Sequence, residues 1–445
     1  MAQKKIYFLL PVLCAVFIAL LIVPVQSAAQ LATPDYSGSL WTRSTLTGDW
    51  GSARNELAKK GITFSASMTE IYQGNFTDGS PSGLPLLKGS EGDEYWRNSG
   101  AVDYELDLDT GKMGLWPGGF LKVRGMSDFR KSINSKAGSI MPVDSVALFP
   151  QPNGNYTGLT DFLFMQFLSE HFGLFAGKMN TLGGDANEFA HDYKTQFLNL
   201  SFLVNPTLLR TFPYSAVGTG AIYLNKTVTY TFTVLDTEGS AIKSGNKTAM
   251  HNGTSVDTEL RFKTCILGLP GHQLFGGTWS NKKFNDLDQD PRLILSQILL
   301  PNRGIPLKTY QDSWSFYYNM DHYLYLKEGT KDQGIGVFAR YGVSDGKANP
   351  IKYFASFGIG GKGMIPGRCQ DTFGVGYYHL WFTDELPSIV KKRLLHNNEQ
   401  GGELYYNIYL TPWVQLTPDL QIIESADRRV DNTVIVGGLR MQVNF

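Results

Sequence analysis

Hydrophobic and polar residues alternate along the last stretch of the chain, 433–445, with the period of two that is typical of a β-strand. From residue 438 onward one face is apolar and ends at Phe445, while the other face is polar. Such a strand fits the closing strand of an outer-membrane barrel, where an open edge would leave backbone groups without partners in lipid. An edge or core strand of a soluble β protein fits the same pattern, so this stretch alone leaves both interpretations open.

A second stretch, 101–109, alternates in the same way and carries carboxylates on its polar side. Four carboxylates on one side of a strand cannot face lipid or a dry core, so we expect this side to face water. The opposite side is uniformly apolar and needs an apolar neighbour. The stretch therefore predicts a wall between water and hydrocarbon. Its apolar positions are Val102, Tyr104, Leu106 and Leu108, and its acidic positions are Asp103, Glu105, Asp107 and Asp109.

The same period of two recurs along the chain after residue 61. About fifteen segments qualify as strands, and single-chain bacterial barrels have even strand numbers, so we predict sixteen, with the missing one in 185–215. The predicted fold is an all-β, 16-stranded antiparallel transmembrane β-barrel that spans 62–445, with a tight turn at Thr417-Pro418-Asp419. The other candidate strands lie near 118–130, 158–170, 172–181, 219–236, 255–268, 272–281, 311–326, 333–343, 351–362, 371–383, 402–413 and 414–423.

The chain before the first strand divides into a leader and a short arm. Residues 1–29 are predicted to be a cleaved signal peptide, with a basic end, an apolar run and small residues at the cleavage site. The apolar run is also long enough for a retained membrane anchor. Residues 30–61 are predicted to form an N-terminal periplasmic arm with a short helix, which Asp49 can cap and Gly61 can end.

Composition and charge exclude several classes of function. The chain has 40 Lys and Arg residues and 40 Asp and Glu residues, so its net charge of zero argues against a nucleic-acid binder. The histidines show no metal-ligand spacing, and no Gly-x-Ser-x-Gly motif or convincing catalytic triad is present, so no metal, cofactor or catalytic residue is predicted. Cys265 and Cys369 remain after cleavage, either as one disulfide or as lone thiols.

Several motifs resemble the OprB family of carbohydrate-selective porins. Members of that family carry a leader, a TGDWGG-like motif, a helix that ends in glycine, and then an alternating strand. Here 46–51 reads LTGDWG, with Ser52 in place of the second glycine, and Arg54 and Gly61 follow. The resemblance continues in the acidic strand, in Gly177-Lys178-Met179 where the family tends to have Gly-Arg-Met, and in the closing strand. It covers nearly the whole mature chain.

The resemblance implies a homotrimeric, 16-stranded barrel in the bacterial outer membrane that lets small neutral sugars, monosaccharides above all, diffuse in without energy input. The expected partners are these sugars, outer-membrane lipids and the barrel-assembly machinery, which would act through Phe445. No nucleic-acid partner is expected.

A passage for sugars should present charged groups that exchange hydrogen bonds with hydroxyls, and aromatic faces along which a ring can slide. The candidates for its narrowest point are charges on the inner face of the early strands. Asp103, Glu105 and Asp107 share one face, and Lys122 and Arg124 share a face of the next strand, so a hairpin would bring acids and bases together. Arg97 is expected to pair with them, and Lys178 is included because the family motif has a cation there. Ordinary salt bridges in the wall are the alternative.

Aromatic candidates for a sugar platform are Trp96 and Trp314. Tryptophans at such positions more often belong to the aromatic girdles at the two membrane surfaces.

Three other functions fit parts of the pattern. A general, weakly selective diffusion porin would share the fold. An outer-membrane barrel enzyme would need a catalytic set at one rim, and a secreted soluble β protein that binds carbohydrate would remain in solution without detergent.

Overall fold

The computed structural model describes residues 32–77, 95–150, 155–183, 185–245, 249–290, 306–387, 391, 395, 398–428 and 433–445, so the predicted leader lies outside the described residues. Sixteen antiparallel strands form a closed barrel in which each strand pairs with its neighbours along the chain. The strands are β1 (Ile62–Asn75), β2 (Trp96–Asp109), β3 (Gly119–Arg130), β4 (Thr157–Phe167), β5 (Phe172–Asn180), β6 (Ser215–Leu224), β7 (Val228–Asp236), β8 (Thr254–Ile266), β9 (Leu269–Ser280), β10 (Ser313–Leu326), β11 (Gly334–Ser344), β12 (Ile351–Lys362), β13 (Thr372–Phe382), β14 (Glu399–Thr411), β15 (Val414–Glu424) and β16 (Thr433–Asn444).

The last strand closes the barrel against the first, which confirms the predicted fold. The register of β1 and β16 runs from Ser67 opposite Asn444 to Asn75 opposite Val436. The backbone N–H of Phe445 extends this ladder by donating to the carbonyl of Ala66 at 2.9 Å. The two terminal strands are thereby paired from Ala66 to Asn75 of β1, which closes the sheet as a lipid-exposed barrel requires.

The strand count of sixteen is right, but two details of its prediction are wrong. The segment 219–236 contains parts of two strands, β6 and β7, because Asn225 accepts hydrogen bonds from the N–H groups of Thr227 and Val228 and forms a tight turn. No strand lies among the described residues of 185–214.

The predicted turn at Thr417-Pro418-Asp419 is also wrong, since these residues lie inside β15. The pairing of β14 with β15 stops at Tyr405 opposite Asp419 and resumes at Ile408 opposite Leu416. Pro418 falls in this gap, where its missing N–H removes no ladder bond to β14. The actual hairpin turn is 412–413.

The connections divide the barrel into a turn end and a loop end. Turns such as 225–227, 267–268 and 412–413 lie at one end, together with residues 61 and 445 at the limits of the barrel, whereas long connections lie at the other. Outer-membrane barrels have short periplasmic turns and long outer loops, so the turn end corresponds to the periplasm.

Two long connections fold into the barrel instead of covering it. We call them the first inner segment, 131–150, and the second inner segment, 185–214. The second packs aromatic and aliphatic side chains onto the inner face of β10–β14 and forms the main buried apolar cluster with it. Glycines on that face make room: a Cβ added at Gly374 would lie 2.7 Å from the ring of Phe197, and one at Gly376 would lie 2.6 Å from the ring of Phe202.

Short helices complete the described chain. The first α-helix, α1 (Ala53–Lys59), confirms the predicted N-terminal helix and is followed by Gly61 with a φ of 80°. It begins later than predicted, and Asp49 accepts a hydrogen bond from the N–H of Asn55 at 2.9 Å. No helix in the described ranges is long and apolar enough to span a membrane. The remaining elements are α2 (Asn134–Ala137), the 3-10 turns Val146–Leu148, Thr181–Gly183 and Leu200–Phe202, and a ribbon of Phe284–Asn285 with Thr309–Tyr310.

Cys265 and Cys369 are exposed free thiols, which decides between the two alternatives left by the sequence.

Candidate functional site in the barrel lumen

A cavity of about 840 Å³ lies in the lumen between β1–β3, the second inner segment and the N-terminal arm. Asp103, Glu105 and Arg124 line it from the wall, and Tyr193 and Lys194 line it from the second inner segment. The cavity therefore combines predicted site residues with residues that the strand pattern did not single out.

The register of the β2–β3 hairpin places acids opposite bases. Glu105 lies opposite Arg124 and Asp107 lies opposite Lys122. Paired residues of neighbouring strands point to the same face, and Asp103 is shifted by two positions onto that same face. Strand alternation alone thus builds the acid and base rows that the sequence predicted.

Asp103 is the centre of the charge cluster. Its Oδ1 accepts hydrogen bonds from Nε and Nη2 of Arg124 at 2.9 and 2.6 Å, and its Oδ2 lies 2.7 Å from Nζ of Lys194. Only 5% of Asp103 is exposed, so one buried carboxylate holds two cations. Asp103, Arg124 and Lys194 together carry one net positive charge, and Glu105 and Asp161 lie opposite Arg124 on the two neighbouring strands.

Tyr193 and Lys194 fix the second inner segment to this cluster. The hydroxyl of Tyr193 accepts a hydrogen bond from Nη2 of Arg124 at 3.2 Å, and Lys194 Nζ donates to Oγ of Ser67 at 2.9 Å. Burial disfavours the ammonium of Lys194, but the charge of Asp103 and its hydrogen bond to Lys194 favour the ammonium, and the pKa of Lys194 is raised. Lys194 is therefore a cation at neutral pH.

A weaker group of charges lies closer to the turn end. Lys122 Nζ is 3.1 Å from Glu105 and 3.9 Å from Asp107. The Lys122 side chain is 42% exposed, so water screens this group more than it screens Asp103.

Strand periodicity could not identify Tyr193 and Lys194 as site residues, because they lie in a segment whose apolar and polar residues do not alternate. One signal was present: 197–204 reads FLNLSFLV, which is too apolar for an outer loop of this length. Such a run has to be buried, and inside a barrel the available place is the lumen.

Arg97 and Lys178 do not join the cluster, which corrects two predictions. Arg97 lies opposite Gln73, six residues before Asp103, and its buried Nε has no hydrogen-bond partner. Lys178 lies opposite Phe162, which is 52% exposed on the outer face. Its ammonium donates to the carbonyls of residues 240, 241 and 243 at 2.9, 3.1 and 2.6 Å. The cation at this position holds a loop against the barrel wall.

We expect Lys178→Met to lower the free energy of unfolding by about 2 kcal/mol, because three carbonyls lose a charged donor. The thermal midpoint of the detergent-solubilised protein measures this loss. Exposed Lys263 on β8 offers a matched control, and Lys263→Met should leave the midpoint unchanged. The single-channel conductance of Lys178→Met should match that of the wild type. A fall in conductance of Lys178→Met would instead place this cation in the passage.

Trp96 and Trp314 lie on the outer face, so their predicted use as sugar platforms is wrong. Trp96 stacks on Tyr72 with ring centroids 5.0 Å apart, and Trp314 contacts Phe316 at 5.4 Å. Tyr72 and Phe316 are 51% and 61% exposed. Both tryptophans therefore belong to the apolar outer belt, where girdle residues lie.

The cluster presents donors and acceptors to the cavity, and Phe149, Leu200 and Leu203 line the same cavity with apolar side chains. Arg124, Lys194 and Tyr193 supply N–H and O–H groups, and Glu105 supplies acceptor oxygens on the same cavity wall. A neutral solute rich in hydroxyls exchanges hydrogen bonds with both kinds of group.

Known proteins with the same features are porins. The sequence model of the family described as carbohydrate-selective porin, OprB family, matches residues 52–445. Porin B of Pseudomonas aeruginosa is 23% identical and the match covers 94% of each chain. A high-pH structure of Pseudomonas putida OprB shares the fold with a TM-score of 0.76, at 22% identity over 92% of this chain and all of that one. A low-pH structure of the same protein gives a TM-score of 0.55. The chain therefore belongs to the OprB family of carbohydrate-selective porins, whose barrels lie in the bacterial outer membrane.

Proposed function

We propose that small neutral sugars, monosaccharides above all, diffuse passively through the cavity beside Asp103 and exchange hydrogen bonds with its cluster. The observation that carries this proposal is the buried Asp103 carboxylate with Arg124 and Lys194, which holds donors in fixed positions on a water-facing wall. Fixed donors replace the water that a sugar hydroxyl gives up at a narrow point. Binding has to remain weak, because a tightly held solute would stop transport.

Conductance in a planar bilayer tests this proposal. Monosaccharide added to both sides should lower the ion conductance of the wild type by occupying the passage. We expect Lys194→Gln to weaken the apparent sugar affinity by about tenfold to a hundredfold, because a hydrogen bond to a charged group is worth about 1.5–3 kcal/mol. Lys60→Gln, on an exposed site outside the cavity, is the control. A wild-type channel that responds to no sugar would contradict selectivity and favour a general porin.

We further propose that the chain assembles as a homotrimer through the outer face of β1–β3. Glu70, Asn98 and Arg130 form a polar group there, with Arg130 Nη1 donating to Asn98 at 2.5 Å and to Glu70 at 3.2 Å. Polar groups on the outer face are costly beside lipid, so a protein partner is a better neighbour. Native mass spectrometry in detergent, with Arg130→Leu beside the wild type, measures the subunit number. A monomeric wild type would contradict this proposal.

We also propose that the leader 1–29 directs export, that lipids cover the outer belt, and that the assembly machinery recognises Phe445. N-terminal sequencing of the membrane-extracted protein should begin near residue 30. Phe445→Ala should slow the appearance of heat-modifiable protein, and assembly at the wild-type rate would contradict a role for this side chain.

A further inference from the structure

Residues 32–48 of the N-terminal arm, called the arm below, line the same cavity as the charge cluster at its turn end. Pro34, Tyr36, Ser44 and Thr45 contribute to the cavity wall there. Tyr36 and Thr45 are buried, and Ser44 is exposed. A solute that passes from the Asp103 cluster toward the turn end therefore meets the arm before it leaves the lumen.

The arm is fastened to the closing seam of the barrel. Leu46 N donates to the carbonyl of Asn444 at 2.8 Å, and Trp413 Nε1 donates to the carbonyl of Leu40 at 2.7 Å. Residues 40–46 are thus held at two points on the turn end, on either side of Ser44.

Arg54 joins the arm to the barrel. Its Nη1 donates to the hydroxyls of Thr45 and Thr47 at 2.9 and 3.2 Å, and its Nη2 donates to the carbonyls of Phe64 and Phe445 at 2.8 and 2.9 Å. Its guanidinium also lies 3.9 Å from the ring centroid of Tyr36. Only 2% of Arg54 is exposed. A planar group with several fixed donors suits this position, and the single ammonium of a lysine does not.

We propose that the arm, 32–48, is a second selectivity element that sets the size of the turn-end opening, with Arg54 as its positioning residue. Ser44 and Pro34 line the cavity on the side of the arm. The Asp103 cluster selects by hydrogen bonding, and the arm selects by size. This proposal rests on the proposed sugar passage for its substrate, but the position of Ser44 in the ion path is independent of it.

Cysteine accessibility tests the position of the arm. Ser44→Cys is made in a background with Cys265→Ser and Cys369→Ser, and a charged methanethiosulfonate is added during single-channel recording. We expect a loss of conductance on modification, and slower modification when sugar is present. Ser39→Cys, on the same arm but outside the cavity wall, should react without loss of current. Unchanged current after complete modification of Ser44→Cys would overturn the proposal.

The size limit tests the role of Arg54. We expect Arg54→Met to admit trisaccharides that the wild type excludes, measured by liposome swelling, and Arg54→Lys to resemble Arg54→Met. If Arg54→Met does not fold, Trp413→Phe removes the side-chain hydrogen bond to Leu40, keeps the backbone hydrogen bond of residue 413 with Asn444, and should shift the size limit in the same direction. A wild-type size limit in a folded, arm-released variant would overturn the proposal. A wild type that admits no sugar would overturn the proposed function, whereas current block at Ser44→Cys would still place the arm in the path.

Discussion

Glu403→Ala is expected to raise the single-channel conductance severalfold, because this carboxylate anchors the second inner segment to the barrel wall. Glu403 Oε1 accepts from the N–H of Leu198 at 2.5 Å, and Oε2 accepts from the N–H of Asn199 at 2.8 Å. Glu403 is 2% exposed, so alanine would leave both N–H groups buried without acceptors. Each such group costs about 1–3 kcal/mol, which favours an arrangement in which residues 198–199 move away from this wall and the lumen widens beside them.

The same variant should lose sugar selectivity, because Lys194 lies in that segment. Conductance and the response to monosaccharide are measured on the same channels. Glu424→Ala on β15 removes an exposed carboxylate at the outer face and is the matched control, with no expected change. Wild-type conductance in folded Glu403→Ala would show that the other contacts of the segment, apolar and polar, hold it without this carboxylate.

Arg440 holds the same segment from the closing strand. Its Nη1 and Nη2 donate to the carbonyls of Tyr193 and Gln196 at 2.8 and 2.6 Å. Glu403 and Arg440 therefore bind N–H groups and carbonyls of one segment from two neighbouring regions of the wall. The polar residues of the closing strand, which first indicated a barrel, also serve to position the charge cluster.

Local patterns predicted the parts of the site that depend on strand alternation. Asp103, Glu105 and Arg124 share a face because each lies on a β-strand, and adjacent strands of a hairpin bring those faces together. Arg97 and Lys178 were misplaced for a related reason. Alternation predicts which face of the sheet a side chain lies on, but not its position along the barrel axis. Arg97 therefore lies on the predicted face but too far from Asp103 along the axis. Lys178 lies on the outer face.

The alternation of apolar and polar residues could not predict that a chain segment fills part of the lumen. The sequence suggested that every inner face is polar, whereas the inner faces of β11–β13 carry glycine and aromatic residues under the second inner segment. This contact joins residues more than a hundred positions apart, and no local period encodes it. The glycines at alternate positions, such as Gly374 and Gly376, are the trace that it leaves in the sequence.

Gly376→Leu is expected to expel Phe202 from the wall and lower the free energy of unfolding by about 3 kcal/mol, because extra carbons in a packed core force side chains and backbone apart. A Cβ at Gly376 would lie 2.6 Å from Cε1 of Phe202, well inside contact distance. Gly125→Leu is the control, since Gly125 lies opposite exposed Tyr104 on the outer face and the nearest atom to its added Cβ is 3.7 Å away. The thermal midpoint and the conductance report the two consequences.

A double-mutant cycle distinguishes this contact from a general effect on β13. Phe202→Ala alone should lower the free energy of unfolding by about 3–5 kcal/mol, because it leaves a cavity. Combined with Gly376→Leu, it should recover part of the stability that either change removes, because the new leucine occupies the space of the lost ring. Simple addition of the two losses would mean that Gly376 and Phe202 act separately. The second inner segment would then be held in the lumen chiefly by the polar anchors Glu403 and Arg440.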